Sequence, residues 1–388
     1  MQYRYVVLGA GRQGVAIAYA LAAFGHAERI ILGEIDTETA RQAIRRLEEL
    51  LPPGQCTLSA TMCDVSKPSE VALTIAGADV VVSAAPYRFN VALTEAAIAA
   101  GASFCDLGGN TQVVRHQLAL HDQAQATGVS VVPDCGLAPG LGNHLAAHGV
   151  QAMDEPQNVH IRCGGLPVEP VGPLGYKLVF NFAGLVNEYS GYAEFLRDGE
   201  QVRVPALAEL EPIEFAPPLG TCEAAVTSGG TSTCPETYAG RLRTYDYKTV
   251  RYPGHFAVIR ALFALGCFDE HLPLEDDTTL APRATFRRLM EQRLAYPDVR
   301  DLVVLRCTVS GRHEGQPCTR TYDLLEQHDE TTGFTAMERA TAYPAALVAF
   351  QQARRVIKPG ARPLEVAVPA AQYLDELPSH DIHVTVSR

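Results

Sequence analysis

The chain has 388 residues, 47% of them apolar and 20% charged, and a formal net charge of −12. That length and balance suit a soluble globular enzyme of about two domains. The acidic surface repels phosphate backbones and anionic headgroups, so neither nucleic acid nor a membrane is an expected partner.

Residues 1–150 alternate short β-branched runs with helical patterns. Tyr5-Val6-Val7-Leu8 reads as a strand and residues 14–24 as an Ala-rich helix. Strands follow at 29–32, 57–63, 78–83, 103–106 and 129–133, with helices at 37–51, 90–100 and 112–126. Near-continuous apolar strands alternating with helices predict a parallel sheet covered on both faces. From about residue 155 the rhythm changes. Runs at 158–163, 245–252 and 302–310 read as strands between Gly- and Pro-rich turns, with helices near 256–266 and 281–295. That pattern predicts an α+β second domain on a mixed or antiparallel sheet. Residues 342–355 return to a helical pattern, and 358–388 are Pro-rich.

The expected organisation is a doubly wound domain over 1–142 with a returning helix at about 340–357. An α+β domain follows over 143–339, then a C-terminal tail over 358–388. The N-terminus begins with a strand pattern rather than a basic stretch leading into a cleavable apolar one, and no apolar run approaches 18 residues. A cytoplasmic protein is the expectation. Ten cysteines are scattered singly without C-x-x-C spacing. They read as small buried hydrophobes in a reducing compartment rather than disulfides or a metal site.

Gly9-Ala10-Gly11-Arg12-Gln13-Gly14 is a G-x-G-x-x-G that closes a strand and opens a helix. In that setting Gly9 permits the tight turn, Gly11 lets backbone approach a pyrophosphate, and Gly14 allows close helix–strand packing. Twenty residues after Gly14, Glu34 ends the second strand, where an acid accepts hydrogen bonds from the adenosine ribose. Glu34 with Asp36, flanking Ile35, would repel a 2′-phosphate, so NAD is the expected cofactor. Arg12 in the turn works against that preference. Asp64 and Val65 after the third strand, and Ala84-Ala85-Pro86 after the fourth, complete the expected cofactor contacts.

Chemistry in such a sheet lies beyond the carboxyl ends of the strands. Asp106 opens the Asp-Leu-Gly-Gly-Asn loop and Asp134 the Asp-Cys-Gly-Leu-Ala-Pro-Gly loop. Both are candidate acid–base groups, or else turn caps. Asn143 and His144 begin the next helix, with His144 expected at the surface. Ser228-Gly229-Gly230-Thr231-Ser232-Thr233 is a candidate substrate loop, with Thr231 and Ser232 as contacts. Lys248 and Arg251 fall three apart on a strand and must point to opposite faces. Arg251 is the candidate carboxylate anchor and His255, after a Pro-Gly turn, a candidate proton shuttle.

Several stretches occur in a fixed order: the Gly-rich turn, Asp106-Leu107-Gly108-Gly109, Asp134 with Gly136 to Gly140, Gly164-Gly165-Leu166-Pro167, Ser228 to Ser232, and Arg251-Tyr252-Pro253-Gly254-His255. In these the chain resembles the saccharopine dehydrogenase family. The resemblance implies a Rossmann domain, a substrate and dimerisation domain, a helix returning to the first, and a homo-oligomer of dimer size or larger. It also implies NAD-dependent oxidation of a carbon–nitrogen bond in an amino acid. The side-chain amine of L-lysine is the foremost substrate, giving the 6-semialdehyde, which cyclises, together with ammonia and NADH. The lysine ammonium titrates near 10.4 in solution, so a site must bind it neutral or take its proton. Asp106, Asp134 and His255 are the candidate bases. A saccharopine-type or carboxyalkyl amine is the alternative. It needs a second cationic anchor, for which Arg88, Lys177 and Arg243 are candidates. A cofactor-binding regulatory protein without turnover is the alternative of another class.

Overall fold

The computed structural model describes residues 1–273 and 279–388. Six strands form the first sheet's body: β1 (Tyr3–Leu8), β2 (Ala27–Glu34), β3 (Thr57–Met62), β4 (Val80–Ser83), β5 (Ser103–Asp106) and β6 (Ser130–Val132). The second sheet is built from β7 (Glu155–Pro167), β8 (Tyr192–Arg197), β9 (Glu200–Pro205), β10 (Glu211–Glu214), β11 (Thr221–Val226) and β12 (Thr244–Arg251). Two short strands, β13 (Leu272–Pro273) and β14 (Thr279–Leu280), pair with each other, and β15 (Asp301–His313) and β16 (Gln316–Gln327) return to the second sheet. The chain ends with β17 (Gly360–Ala361) and β18 (Thr385–Ser387).

The first sheet runs β17-β6-β5-β4-β1-β2-β3, all parallel. This is the doubly wound order, with its reversal between β1 and β4, where the crevice of such a sheet opens. The strands carry Val, Ile and Leu on both faces because helices cover both. The second sheet runs β10-β11-β12-β7-β15-β16-β18, with β8 and β9 joined through β12. It is mixed: β12 lies parallel to β7, whereas β15 lies antiparallel to it.

The helix Ala336–Ala353 ties the sheets together. Asp301 and a Thr335–Glu338 capping box fix its start: Ala336 N–H donates to Asp301 at 2.9 Å, and Thr335 N–H to Glu338 at 2.8 Å. Nearly every residue of this helix is buried, and the apolar cluster it joins draws on both sheets. A helix with a mostly apolar surface belongs inside a protein, and its buried charges are paired, Glu338 with Arg12 and Arg339 with Glu326.

The Pro-rich segment 358–388 is not a free tail. β17 pairs with β6 and β18 with β16, so it adds a strand to each sheet. Its prolines start short helices rather than preventing structure: Leu364–Ala367 and Ala370–Glu376 each follow a proline. The helix expected over 112–126 is two, Thr111–Leu118 and His121–Thr127, separated where Leu120 N–H bonds back to Gln117 three residues earlier. Among the described residues no helix is long and apolar enough to cross a membrane.

Candidate functional site

The Gly-rich turn joins β1 to the helix Arg12–Phe24. Gly9 sits at φ +98°, where a Cβ would lie 3.0 Å from the Ala84 carbonyl oxygen. A Cβ on Gly14 would fall 1.8 Å from the Gly9 carbonyl oxygen. At Gly11 a Cβ would meet nothing within 4 Å. Two of the glycines therefore permit packing, and the third faces open space at the start of a helix whose first N–H groups have no partner inside it. Glu34 locks the turn to the end of β2: its carboxylate accepts from Ala10 N–H at 2.8 Å and Ile35 N–H at 2.9 Å. An acid held against the turn, open space at Gly11 and a buried Gln13 side-chain carbonyl without a partner together fit a dinucleotide.

The other expected cofactor residues divide. Ala84, Ala85 and Pro86 line the cavity described below, as does Gln13. Ile35 is exposed. Asp36 caps the helix Thr37–Leu50, accepting from Thr39 N–H at 2.7 Å, which holds its carboxyl below the usual range. Asp64 accepts from Ser66 N–H and its hydroxyl at 3.0 and 2.6 Å, a local turn, and Val65 packs into the core. The Arg12 guanidinium points to the central helix, donating to Glu338 at 2.6 Å and to Thr335 at 3.3 Å.

A cavity of about 1240 Å³ separates the carboxyl ends of the first sheet's strands from one face of the second sheet. Its first wall is the loops after β4, β5 and β6. Its second wall includes Cys163 to Gly165 on β7 and Tyr247, Thr249 and Arg251 on β12. The strand period of two explains this wall: alternate residues of β12 face the cavity, while Asp246 and Lys248 face away. Lys248 accordingly reaches Glu211 at 2.8 Å on the opposite face.

Asp106 and Asp134 lie together but differ. Asp106 is fully buried and does not line the cavity. It accepts from Gly108 N–H at 2.7 Å, Asp134 N–H at 3.2 Å and the Gln117 amide at 2.7 Å. It is the turn cap that shapes the loop, with burial raising its carboxyl. Asp134 does line the cavity, at φ +60°. One of its oxygens accepts from the Ser232 hydroxyl, and the other is buried without a partner. Burial, then the Asp106 charge, push its carboxyl up to about 7. Gly108, at φ +79°, lies so close that a Cβ would stand 2.0 Å from that free oxygen.

Arg251 is buried at 2% exposure and held rigidly. It donates to Tyr189 Oη at 3.0 Å and to its neighbour's carbonyl Val250 at 2.9 Å, and its guanidinium lies 4.8 Å from the centre of the Tyr176 ring. Tyr189 meets His255 Nε2 at 2.9 Å, and His255 Nδ1 meets the Leu174 carbonyl at 3.0 Å. Because a carbonyl only accepts, Nδ1 carries the proton and the Tyr189 hydroxyl donates to Nε2. His255 is thus the buried end of a chain that fixes Arg251, not a cavity residue. Burial and the Arg251 charge depress its imidazole to about 3, which keeps it neutral.

Of the other expected substrate residues, Thr231 donates to the Glu194 carbonyl at 2.8 Å, and Ser232 serves Asp134. Neither lines the cavity. Lys177 donates to the Val299 carbonyl at 2.5 Å, and Arg243 pairs with Asp198 at 3.0 Å on the exterior. Arg88 does line the cavity. His144 is buried, its ring edge-on to Tyr373 at 4.2 Å, because its helix is packed on nearly every side. Burial holds it neutral, down to about 3.

Sequence reasoning missed Glu188, which faces the cavity with an oxygen 3.8 Å from Arg251. Burial raises its carboxyl to about 7 against the pull of Arg251. It also missed Arg283 and Arg287 on the helix Pro282–Arg293, which line the same cavity. The only signal in the sequence was an acid before Tyr189 at the end of a short helix, too common a pattern to mark a site.

The geometry defines a two-domain α/β protein whose dinucleotide crevice opens into a cavity bearing a carboxyl with one unpartnered oxygen and a fixed guanidinium. Residues 5–132 match the family model for the saccharopine dehydrogenase NADP binding domain, and residues 136–382 match that for the saccharopine dehydrogenase C-terminal domain. The chain belongs to the saccharopine dehydrogenase family. It is 24% identical over 268 residues to saccharopine dehydrogenase [NADP(+), L-glutamate-forming] of Pyricularia oryzae, a match covering 65% of this chain and 57% of that one. With the protein of the same name from Saccharomyces cerevisiae it shares 26% over 176 residues, 43% of this chain and 38% of the relative. With the mitochondrial alpha-aminoadipic semialdehyde synthase of Bos taurus it shares 22% over 344 residues, 71% and 37%. The matches thus span well under two thirds of these relatives' length. The apo structure of saccharopine dehydrogenase (L-Glu forming) from Saccharomyces cerevisiae has the same fold, with TM-score 0.77, 19% identity and 99% of each chain covered.

Proposed function

We propose that this protein oxidises a carbon–nitrogen bond of an amino acid, passing hydride to a nicotinamide dinucleotide. One observation carries this reading: Asp134, with a free oxygen and a carboxyl that titrates near 7, lies in the same cavity as Arg251 and the loop after β4. An amine gives up hydride from its carbon only when its nitrogen lone pair is free, so a base of near-neutral pKa beside the cofactor crevice suits the step. Asp134 takes the amine proton. Arg251 holds a carboxylate through the part of its fork not bonded to Tyr189, and its rigid support fixes the substrate's pose. When bound, the nicotinamide supplies the hydride acceptor. Glu34 and the diversion of Arg12 to Glu338 favour NAD. Against that stand relatives whose names specify NADP(+).

Two amine classes fit. A secondary amine with several carboxylates, as in saccharopine, is supported by the cavity's size and by Arg88, Arg283 and Arg287 on its lining. Free L-lysine, the substrate of a lysine 6-dehydrogenase, is supported by Glu188 beside Arg251, which can take an α-ammonium. The test is absorbance of the reduced nicotinamide band. Pure protein is mixed with NAD or NADP at mildly alkaline pH, then with L-lysine, L-ornithine or saccharopine. Reduction with saccharopine alone selects the first class, and reduction with lysine plus ammonia release selects the second. NADH binding without turnover on any amine contradicts the reading.

A further inference from the structure

Behind Asp134, away from the main cavity, lies a second and much smaller space of about 10 Å³, room for about one water. Asp134, Ser232, Thr233 and Glu365 all border it. Glu365 comes from the C-terminal segment, on the short helix Leu364–Ala367, and is buried at 5% exposure. A buried carboxyl needs partners. Here they are two hydroxyls on one oxygen: Thr233 donates at 3.0 Å and Thr237 at 2.5 Å. Thr233 is fully inside, whereas Thr237 is partly exposed. On the other side of the space the Ser232 hydroxyl donates to Asp134. Two buried carboxyls from distant parts of the chain therefore border one small space together with the Ser232 and Thr233 hydroxyls, and the half-buried Thr237, bonded to Glu365, connects Glu365 to the surface.

We propose that Glu365 is a positioning residue for Asp134, and that the two carboxyls pass the proton taken from the amine out to the surface at Thr237. The proposal rests on Asp134 being the base. A proton arriving on Asp134 moves to the Ser232 hydroxyl, which releases its own to a water in the small space. That water protonates the Thr233 hydroxyl, which hands its own proton to Glu365, and Glu365 passes one to the Thr237 hydroxyl as Thr237 releases its own to bulk water on its exposed side. Each hydroxyl ends as it began, and no electron moves. The negative charge of Glu365 adds to burial and the Asp106 charge in favouring the protonated form of Asp134. The other titratable groups around the pair are Asp106, Cys135, Cys234 and Tyr238. Of these, Asp106 is the other carboxyl, and it is already engaged by three donors.

The test is infrared titration of the carboxyl bands of the free protein, with the Asp134 band assigned by its loss in D134N. In E365Q the Asp134 midpoint moves to lower pH, a loss of about threefold or more in proton affinity. In turnover assays kcat falls about tenfold at unchanged KM, because the substrate contacts are untouched. An unmoved midpoint in E365Q overturns the proposal, as does a raised KM with normal kcat. Should E365Q not fold, E365D withdraws the charge by one methylene. A smaller downward displacement then supports the pairing, and none overturns it. The infrared arm needs no turnover, so failure of the proposed reaction alone leaves it intact.

Discussion

The two walls of the main cavity are built on different principles. On the dinucleotide side the working groups are mostly backbone: open space at Gly11 and N–H groups at a helix start, with one side chain, Glu34, tied to the turn at Ala10. On the second sheet they are side chains, Tyr247, Thr249 and Arg251, aligned only because β12 alternates its faces, with Glu188 brought beside them from a separate helix. A backbone device is local, so a short string of residues carries it. A side-chain constellation depends on which strands pair, and no short string carries that.

The sharpest way to break this contrast is at Asp134, where the first wall uses a side chain. Its carboxyl is raised from 3.8 to about 7, so the folded protein binds the proton more tightly than the unfolded chain. This group's stabilisation is therefore complete below pH 4, is lost as pH rises through 7, and is flat above. D134N should gain stability relative to the parent across that window, by up to about 4 kcal/mol, read from urea midpoints at pH 4, 6 and 8. At Gly14 the expectation is pure backbone: G14A should cost about 3 kcal/mol through overpacking and remove NADH fluorescence enhancement. On the opposite wall, R251M should raise KM for the amino acid by about 2 kcal/mol, or roughly thirtyfold, with NADH binding unchanged. K248M, three residues away on the other face, should leave KM alone. Smaller than the Arg251 effect is that at Glu34: E34A should weaken NADH by about tenfold and NADPH by less, measured by fluorescence titration.

Legibility in the sequence divides along the same line. The Gly-rich turn, Glu34 and the six leading strands could be read because each rests on local spacing. The opposition of Lys248 and Arg251 could be read from the strand period alone. Asp106 and Asp134 looked alike, each an acid opening a Gly-containing loop. What separates them is three donors on Asp106, among them Gln117 from the following helix, against a single donor on Asp134, Ser232 from far along the chain, which leaves its other oxygen orphaned. His255 follows a Pro-Gly turn and is of the residue type that shuttles protons near neutral pH, but Tyr189 and the Leu174 carbonyl enclose it. The 358–388 segment looked like a tail because proline depletes hydrogen-bond donors, yet it supplies a strand to each sheet and Glu365 to the small compartment.

The central claim is that Asp134 is the base of an amine oxidation, and the pH profile of kcat/KM tests it most directly. With the amine substrate that reduces the cofactor, and in an E188Q background because Glu188 is also raised to about 7, the rate should climb from acid pH through the Asp134 ionisation near 7 and level off above it. In D134N that limb should vanish and the plateau fall by about a hundredfold or more. An unchanged limb in D134N would assign the base elsewhere and contradict the account.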